Sequence, residues 1–561
     1  MLTRNDTGLK NWFASGEPWV WMNAAAVAIS IIAVVGLLGL IAVRGLAHFW
    51  PAEVLQVTYL DGAEEHVVLG EQVESELIPF DRYQEASAGR DTQRAQGLVD
   101  VERTLFKVGN RRTTPPDFRW IYSHDIAATS IPREVFVLER TEWGNAYGFL
   151  ESITDRGEVI ASGEQAAQAF AARLNRATEL REDIAGLEGS ELNRINYELE
   201  QLRLKERGLA LAGSDSPQAL AEIDAQRQSL NADYELAEAS LREYHEALQS
   251  ASITLRLAGG QLVDINLAEI IRAWQPNSMS VVDKLSHYAS SVVLFLTDEP
   301  REANTEGGIF PAIFGTVLMV LLMSVLVTPF GVIAAIYLRE YARQGTFVRL
   351  IRIAVNNLAG VPSIVYGVFG LGFFVYFIGG SLDELFYPEA LPSPTFGTPG
   401  LVWASLTLAL LTVPVVVVST EEGLTRIPRS LREGSLALGA TKAETLFRVI
   451  LPMASPSILT GVILAIARAA GEVAPLMLVG VVKLAPTLPL DGNFPFIHLE
   501  RKFMHLGFHI YDVGFQSPNV EAARPLVFAT ALLLVLIIVV LNLTAIMLRN
   551  RLEQRYRGVE S

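Results

Sequence analysis

Hydrophobic and polar positions follow each other along this chain on two length scales. Six stretches stay apolar long enough to cross a bilayer, which takes about 20 residues of helix. They run roughly 23–43, 309–337, 354–379, 400–420, 454–482 and 525–548. Between the first and second lies a long segment, 44–305, with shorter periods. Near its ends the alternation is that of strands. Val57-Thr58-Tyr59 and Val67-Val68-Leu69 flank Asp61-Gly62, and Ile253 to Leu257 and Leu262 to Ile265 flank Gly259-Gly260, two hairpin signals. The stretches 118–122 and 134–139 also read as strands. In the middle, about 164–250, the period becomes helical. Leu192, Ile195, Leu199 and Leu202 step by three and four. After Gly213 to Pro217 a second helix starts, with Ser216 as N-cap and Pro217 in the first turn. There Leu220, Ile223, Arg227, Leu230, Tyr234, Ala237, Leu241, Tyr244 and Leu248 alternate by three and four, a coiled-coil seam with one charged interruption. The expected fold is therefore mainly α: a six-span polytopic membrane protein, plus a large α+β domain bearing an antiparallel coiled-coil hairpin. That hairpin either packs only on itself or is a docking arm for a partner outside the membrane; composition does not separate the two.

Charge sets the orientation expected for these spans, because basic residues collect on the inner side. Arg339, Arg343, Arg349 and Arg352 follow the second span. Arg426, Arg429, Arg432, Lys442 and Arg448 fill the segment after the fourth, and Arg549, Arg551, Arg555 and Arg557 fill the tail. The loop 380–399 has neither Lys nor Arg, while 483–524 dissents weakly with Lys483, Arg501, Lys502 and Arg524. Both termini (1–22, with Arg4 and Lys10, and 553–561) and the loop 421–452 are thus expected in the cytoplasm. Residues 44–305 are expected outside, in the periplasm of a bacterium with two membranes. A net charge of −16 gives no nucleic-acid footprint. The chain has no cysteine, which excludes disulfides, thiolate metal sites and a cysteine nucleophile. No P-loop is present, and the eight histidines show no metal-ligand spacing. His287 and His505 read as surface or packing residues. FGLGFF, 369–374, reads as close helix packing within a span rather than a phosphate loop.

Two stretches carry candidate chemistry. The first is 421–452. It reads as two short helices joined by a tight turn, with Pro428 opening the first and Gly439 closing it. Thr441 and Glu444 form a T-x-x-E capping box for the second. Ala443, Leu446, Phe447, Ile450 and Leu451 give that helix one apolar face, and Pro452 is expected to end it. A loop between spans has no reason to carry such a face unless something covers it. The second stretch is Ala467 to Pro475. Here Arg468 and Glu472 are four apart, so both are expected on one helix face in the middle of the fifth span. A charge there costs about 2.5–3.5 kcal/mol, so such residues pair or face a polar path. They are either a structural ion pair or the lining of a charged solute's route, for which an arginine's forked donors suit an oxyanion. Pro475 is expected to kink the helix just beyond. At the head of the third span, Asn356, Asn357, the Gly360–Pro362 break, Ser363 and Tyr366 suggest a helix start buried against other helices and lining a polar cavity.

These motifs carry a family resemblance. Glu433-Gly434-Ser435, then Gly439, then Val449-Ile450-Leu451-Pro452 resembles the "EAA" loop of bacterial ABC-importer permeases. Gly434 and Ser435 stand for two alanines, and Val449 for isoleucine. Asn356 to Gly367, RAAGEVAPLM, APTLPL and LNLTAIMLRNR are similar to the phosphate ABC-transporter permeases, A-type subunit, over about 300–557. The resemblance implies a type I ABC-importer permease core at 306–552 and phosphate translocation by alternating access. In such a core the chain is not itself an enzyme and binds no cofactor, ATP being used by a partner. Implied partners are a second homologous permease subunit, a cytoplasmic ABC ATPase dimer, a periplasmic phosphate-binding protein and the lipid of a bacterial inner membrane. Implied substrate-path residues are Arg468, Glu472, Asn357, Ser363 and Tyr366. Implied ATPase-coupling residues are Glu433, Gly434, Gly439, Ala440, Thr441, Glu444, Leu451 and Pro452. Segment 44–305 departs from the compact pattern and resembles the extended amino-terminal region of some longer members. Two alternatives stay open: a permease for another oxyanion, molybdate or sulfate, and a membrane-anchored sensor or scaffold that uses the outer coiled coil.

Overall fold

The computed structural model describes residues 12–13, 15–62, 64–86, 99–517 and 520–557. Arg4 and Lys10 lie outside them. The segment after the first span folds as two antiparallel sheets. β1 (Val54–Asp61), β2 (Glu64–Pro79), β3 (Asp100–Lys107), β4 (Phe118–Tyr122) and β5 (Ile126–Ser130) are ordered β4-β3-β2-β1-β5. β6 (Phe136–Arg140), β7 (Ala146–Asp155), β9 (Ala251–Arg256), β10 (Leu262–Asn266) and β11 (Ile270–Trp274) are ordered β10-β9-β7-β6-β11, with β8 (Glu158–Ser162) paired to β7. The Asp61-Gly62 and Gly259-Gly260 turns close the β1–β2 and β9–β10 hairpins, with Val57 opposite Val68 and Ile253 opposite Ile265.

A helical hairpin rises from the second sheet. Its first arm is α1 (Glu164–Gly186), a π-helical turn at Leu187–Leu192 and α2 (Asn193–Leu211); its second is α3 (Pro217–Gln249). Ser216 caps α3 by accepting from the Ala219 amide at 3.2 Å. At the root, Phe170, Leu180 and Leu248 bury against Ile253, Leu255 and Ile270 of the sheet. Farther out, Ile195, Leu202, Ile223 and Leu230 bury against one another. Arg227 pairs with Glu206 across the arms, which explains how a charge is tolerated at that position. Tyr234 is exposed. The Tyr197 hydroxyl of α2 donates to the Phe494 carbonyl in the loop before the last span.

The join between the sheets and the membrane helices is ionic. Glu139 of β6 sits 2.6 Å from Arg272 of β11 and also pairs with Arg301. Burial alone would raise its carboxyl, but the two guanidiniums outweigh this and hold it below its ordinary 4.5. Its folded value is depressed, so its stabilisation is full above the unfolded value and is lost as pH falls through the folded one. Glu139→Gln leaves two half-buried cations short of a partner. It is expected to destabilise this join by about 1.5–3 kcal/mol at pH 7, and by progressively less as the pH is lowered below 4.5. Thermal unfolding of the two proteins across that range checks it.

Among the described residues six helices are long and apolar enough to cross a membrane: Glu17–Ala47, Phe310–Tyr341, Ser363–Phe386, Leu401–Arg426, Lys442–Ala469 and Ala523–Gln554. The fourth is the centre, with 67% of its most apolar window buried against at most 33% for the others. Its Leu401, Ala404, Leu408 and Leu411 pack with Met319, Val320 and Met323 of the second span and Ala465, Ile466 and Ala469 of the fifth. At Gly423 a Cβ would come 2.5 Å from Ser457 Cβ, so only glycine lets the fourth and fifth spans approach this closely. Gly370, in FGLGFF, meets Thr407 of the fourth span in the same way.

Several bounds differ from those expected. The first span extends beyond 23–43 at both ends, the fourth runs on to Arg426, and the sixth is longer than 525–548. The third does not begin at 354. Residues Thr346–Leu358 form a separate amphipathic helix, α4, and the span starts at Ser363 after an extended Pro362. A proline disfavours helix in the residue before it, so the chain turns there. The fifth span occupies Lys442–Ala469, not 454–482. It begins inside the 421–452 segment and stops where Gly471 and Pro475 follow.

Candidate functional site

The segment after the fourth span is a helix–turn–helix. α5 (Arg429–Ala437) starts after Pro428, which takes the capping place rather than the first helical one. Gly439 stops it with φ +89°, a conformation that residues with a Cβ resist. Ala440 follows, and its amide donates to the Ser435 carbonyl at 3.2 Å. Thr441 and Glu444 form a complete capping box, with the Glu444 amide donating to Thr441 Oγ1 at 3.2 Å and the Thr441 amide to Glu444 Oε2 at 2.9 Å.

Pro452 does not end the second helix. The chain passes from Lys442–Thr445 through a π-helical turn, Leu446–Ile450, straight into Leu451–Ala469. The wider turn shifts the hydrogen-bond register just ahead of the proline, which then sits in the first turn of the following stretch, where its missing N–H costs little. The second arm is thus continuous with the fifth span.

The apolar face divides in two. Leu446 and Ile450 bury against Ile336, Leu424 and Ile427 near the C-terminal ends of the second and fourth spans. Phe447 stays 67% exposed and Leu438, at the turn, 90%. Glu433 and Gly434 are exposed on α5. Large apolar side chains at a loop tip form a surface that something else must cover.

The second constellation surrounds the end of the fifth span. Arg468 lies in the last helical turn and Glu472 in the turn beyond it, so they do not share a helix face in mid-span. The turn still brings Arg468 Nε to 3.6 Å from Glu472 Oε1, both half-buried. Pro475 kinks no helix; it opens the short helix Leu476–Val479. A Cβ on Gly367 would lie 2.7 Å from Pro475 Cα, so the absence of one brings the third span against this turn. Tyr366 buries in the same cluster as Ala469, Ala470 and Leu476, and its hydroxyl donates to the Leu358 carbonyl at 2.7 Å, tying α4 to the third span across the Pro362 break. Ser363 is half-buried. Asn357 is exposed rather than packed within the chain. The structure therefore joins Tyr366, Arg468 and Glu472 and leaves Asn357 on a bare surface.

Two ion pairs escaped the sequence reading. Arg352 of α4 lies 2.6 Å from Glu421 of the fourth span, and Arg432 of α5 lies 3.0 Å from Glu340. These residues registered only as inner-side charge. The signal present was an acid beside each basic cluster, Glu340 in LREYAR and Glu421-Glu422 before the turn. A cavity of about 540 Å³ lies beside the first pair, lined by Leu338, Arg352, Asn356, Glu421, Glu422 and Arg426 among others. Of the two asparagines that the sequence reading set beside a polar cavity, it takes in Asn356 and not Asn357, the one that the resemblance implied for the substrate path.

The chain is similar to known membrane transport proteins. Residues 327–558 match the model of the binding-protein-dependent transport system inner membrane component family. A phosphate transport system permease protein PstA of Yersinia pestis is 35% identical over 255 residues, covering 46% of this chain and 77% of its own length. PstA 1 of Mycobacterium tuberculosis (strain H37Rv) is 35% identical over 256 residues, 45% of this chain and 72% of its own. PstA of Mycobacterium leprae is 37% identical over 219 residues, 38% of this chain and 66% of its own. A solved inward-facing methionine ABC transporter, MetNI, has a chain 19% identical and 94% covered, 44% of this one, with a TM-score of 0.31.

Proposed function

The chain belongs to the binding-protein-dependent transport system inner membrane components, a multi-pass permease subunit of an ABC importer, and from that premise we propose that it carries inorganic phosphate. The observation that carries the reading is the arginine at the end of the fifth span. Arg468 is the one cation in RAAGEVAPLM, it is half-buried, and its acidic neighbour Glu472 is 3.6 Å away rather than in tight contact. A guanidinium held this loosely can exchange its carboxylate for an incoming oxyanion of similar geometry. Glu472 returns to the arginine when the anion leaves, so the guanidinium always has an acidic partner. The phosphate permeases most of whose length this chain matches support phosphate over other anions.

The mechanism is alternating access. The inner helix–turn–helix sits in a groove of a cytoplasmic ATPase dimer, with Leu438 and Phe447 as its apolar contacts and Glu433, Gly434, Ala440, Thr441 and Glu444 shaping it. Closure of the ATPases pushes on the turn. Because the second arm runs unbroken through Leu451 and Pro452 into the fifth span, the push moves the end of that span, where Arg468 stands. A second permease subunit completes the pore, and a phosphate-binding protein delivers solute from the periplasm. In this arrangement 44–305 is periplasmic, both termini are inside, and the long hairpin, as a coiled-coil arm, lies beside the outer loops on the delivery side.

Anion competition tests the solute. Cells relying on this importer should take up radiolabelled phosphate in a way that excess unlabelled phosphate or arsenate suppresses, and that excess sulfate or molybdate does not. Suppression by sulfate or molybdate at equal concentration would transfer the assignment to that anion.

A further inference from the structure

We propose that Glu340 is a positioning residue of the transport cycle, a latch that grips both arms of the inner helix–turn–helix so that a push on its turn reaches the second span as well as the fifth. The inference rests on the coupling role proposed above. Glu340 lies in the π-helical end of the second span, Tyr337–Tyr341. Its side chain meets the first arm: Glu340 Oε1 is 3.0 Å from Arg432, and the two are only 14% and 18% exposed. Its main chain meets the second arm, because the Lys442 ammonium donates to the Glu340 carbonyl and lies 4.5 Å from the centre of the Tyr341 ring. Arg432 in turn donates to the Leu424 carbonyl at 2.6 Å and the Ile427 carbonyl at 3.2 Å, at the end of the fourth span. One residue, through its carboxylate to the first arm and its main-chain carbonyl to the second, thus closes a circuit through the ends of the second and fourth spans and both arms.

The circuit has a mechanical consequence. α5 follows the fourth span after a break at Ile427, where the backbone is extended. Without a cross-tie, a force on the turn would swing α5 about that break. The second arm needs no such tie, being continuous with the fifth span. Arg432 Nε is buried with no hydrogen-bond partner, and the two carbonyls that Arg432 reaches both lie at the end of the fourth span, so neither replaces the tie that Glu340 makes to the second span. The π-helical end of the second span, where the main chain gives up regular α-helical bonding, supplies the carbonyl that Lys442 takes.

The test separates work transmitted from work done. The full complex, permeases and ATPases, is reconstituted in vesicles with the solute-binding protein, and inorganic phosphate taken up is measured against ATP hydrolysed. Glu340→Ala is expected to lower that ratio at least tenfold while hydrolysis continues. Glu340→Asp is expected to restore part of it, and the exchange Glu340→Arg with Arg432→Glu to restore more than either single change. A role confined to stability would lower the yield of complex and leave the ratio at the wild-type value, and that result overturns the proposal. Leu438→Cys, the only thiol in a chain without cysteine, provides the separate control. Failure to cross-link it to the ATPase would sink the coupling reading itself, whereas cross-linking together with an unchanged ratio in Glu340→Ala sinks the latch alone.

Discussion

Gly439→Pro is expected to abolish solute uptake while the protein still reaches the membrane and folds its spans. Gly439 holds φ +89°, and a proline ring fixes φ near −65°. The turn cannot keep its path, and the amide that donates to the Leu436 carbonyl at 3.0 Å is lost as well. Proline where the backbone disallows it costs about 3 kcal/mol or more. If that falls on the productive geometry of the turn, transport drops by more than about 100-fold. Gly439 is exposed, and its Cβ position opens into empty space. Insertion should therefore be unaffected, as membrane fractionation would show. Wild-type uptake in this variant would remove the coupling role from the turn. Gly439→Ala separates backbone from bulk: it adds a methyl into open space but still resists positive φ, so it should lose only part of the activity.

Arg468→Gln is the second large effect. The amide keeps much of the side chain's reach and removes the charge and the forked donors. Hydrogen bonds to charged groups contribute about 1.5–3 kcal/mol, so the loss at an oxyanion step should be about 10- to 150-fold in uptake. The cluster of Tyr366, Ala469, Ala470 and Leu476 around it is apolar and does not depend on the charge, so co-purification with the partner subunits should persist. Normal uptake in Arg468→Gln would reduce the arginine to a structural partner of Glu472.

The parts of this molecule legible in its sequence are those fixed by local periodicity or turn chemistry. The apolar runs located all six membrane helices, the Asp-Gly and Gly-Gly pairs marked two hairpins, and T-x-x-E marked the start of a helix. What escaped depends on where an apolar run stops being helical. Residues 470–482 are apolar enough to extend the fifth span, yet the helix ends at Ala469, because Gly471 and Pro475 matter more to the backbone than hydropathy does. Ala354 to Leu358 look like the head of the third span but belong to α4, separated by Pro362. Pro452 misled in the opposite sense, since a π-helical turn just ahead of it removes the clash that would break the helix. The ion pairs Arg432–Glu340 and Arg352–Glu421 were out of reach for another reason: their partners lie in different helices, and no periodicity links them.

The account depends above all on the inner element facing the cytoplasm. Ala440→Cys, again the chain's single thiol, can be labelled with a membrane-impermeant maleimide in vesicles of known orientation. Labelling in inside-out vesicles, protected when the ATPase subunits are bound, is the predicted result. Labelling of intact right-side-out vesicles would place the turn on the outer face and contradict the account, phosphate assignment included.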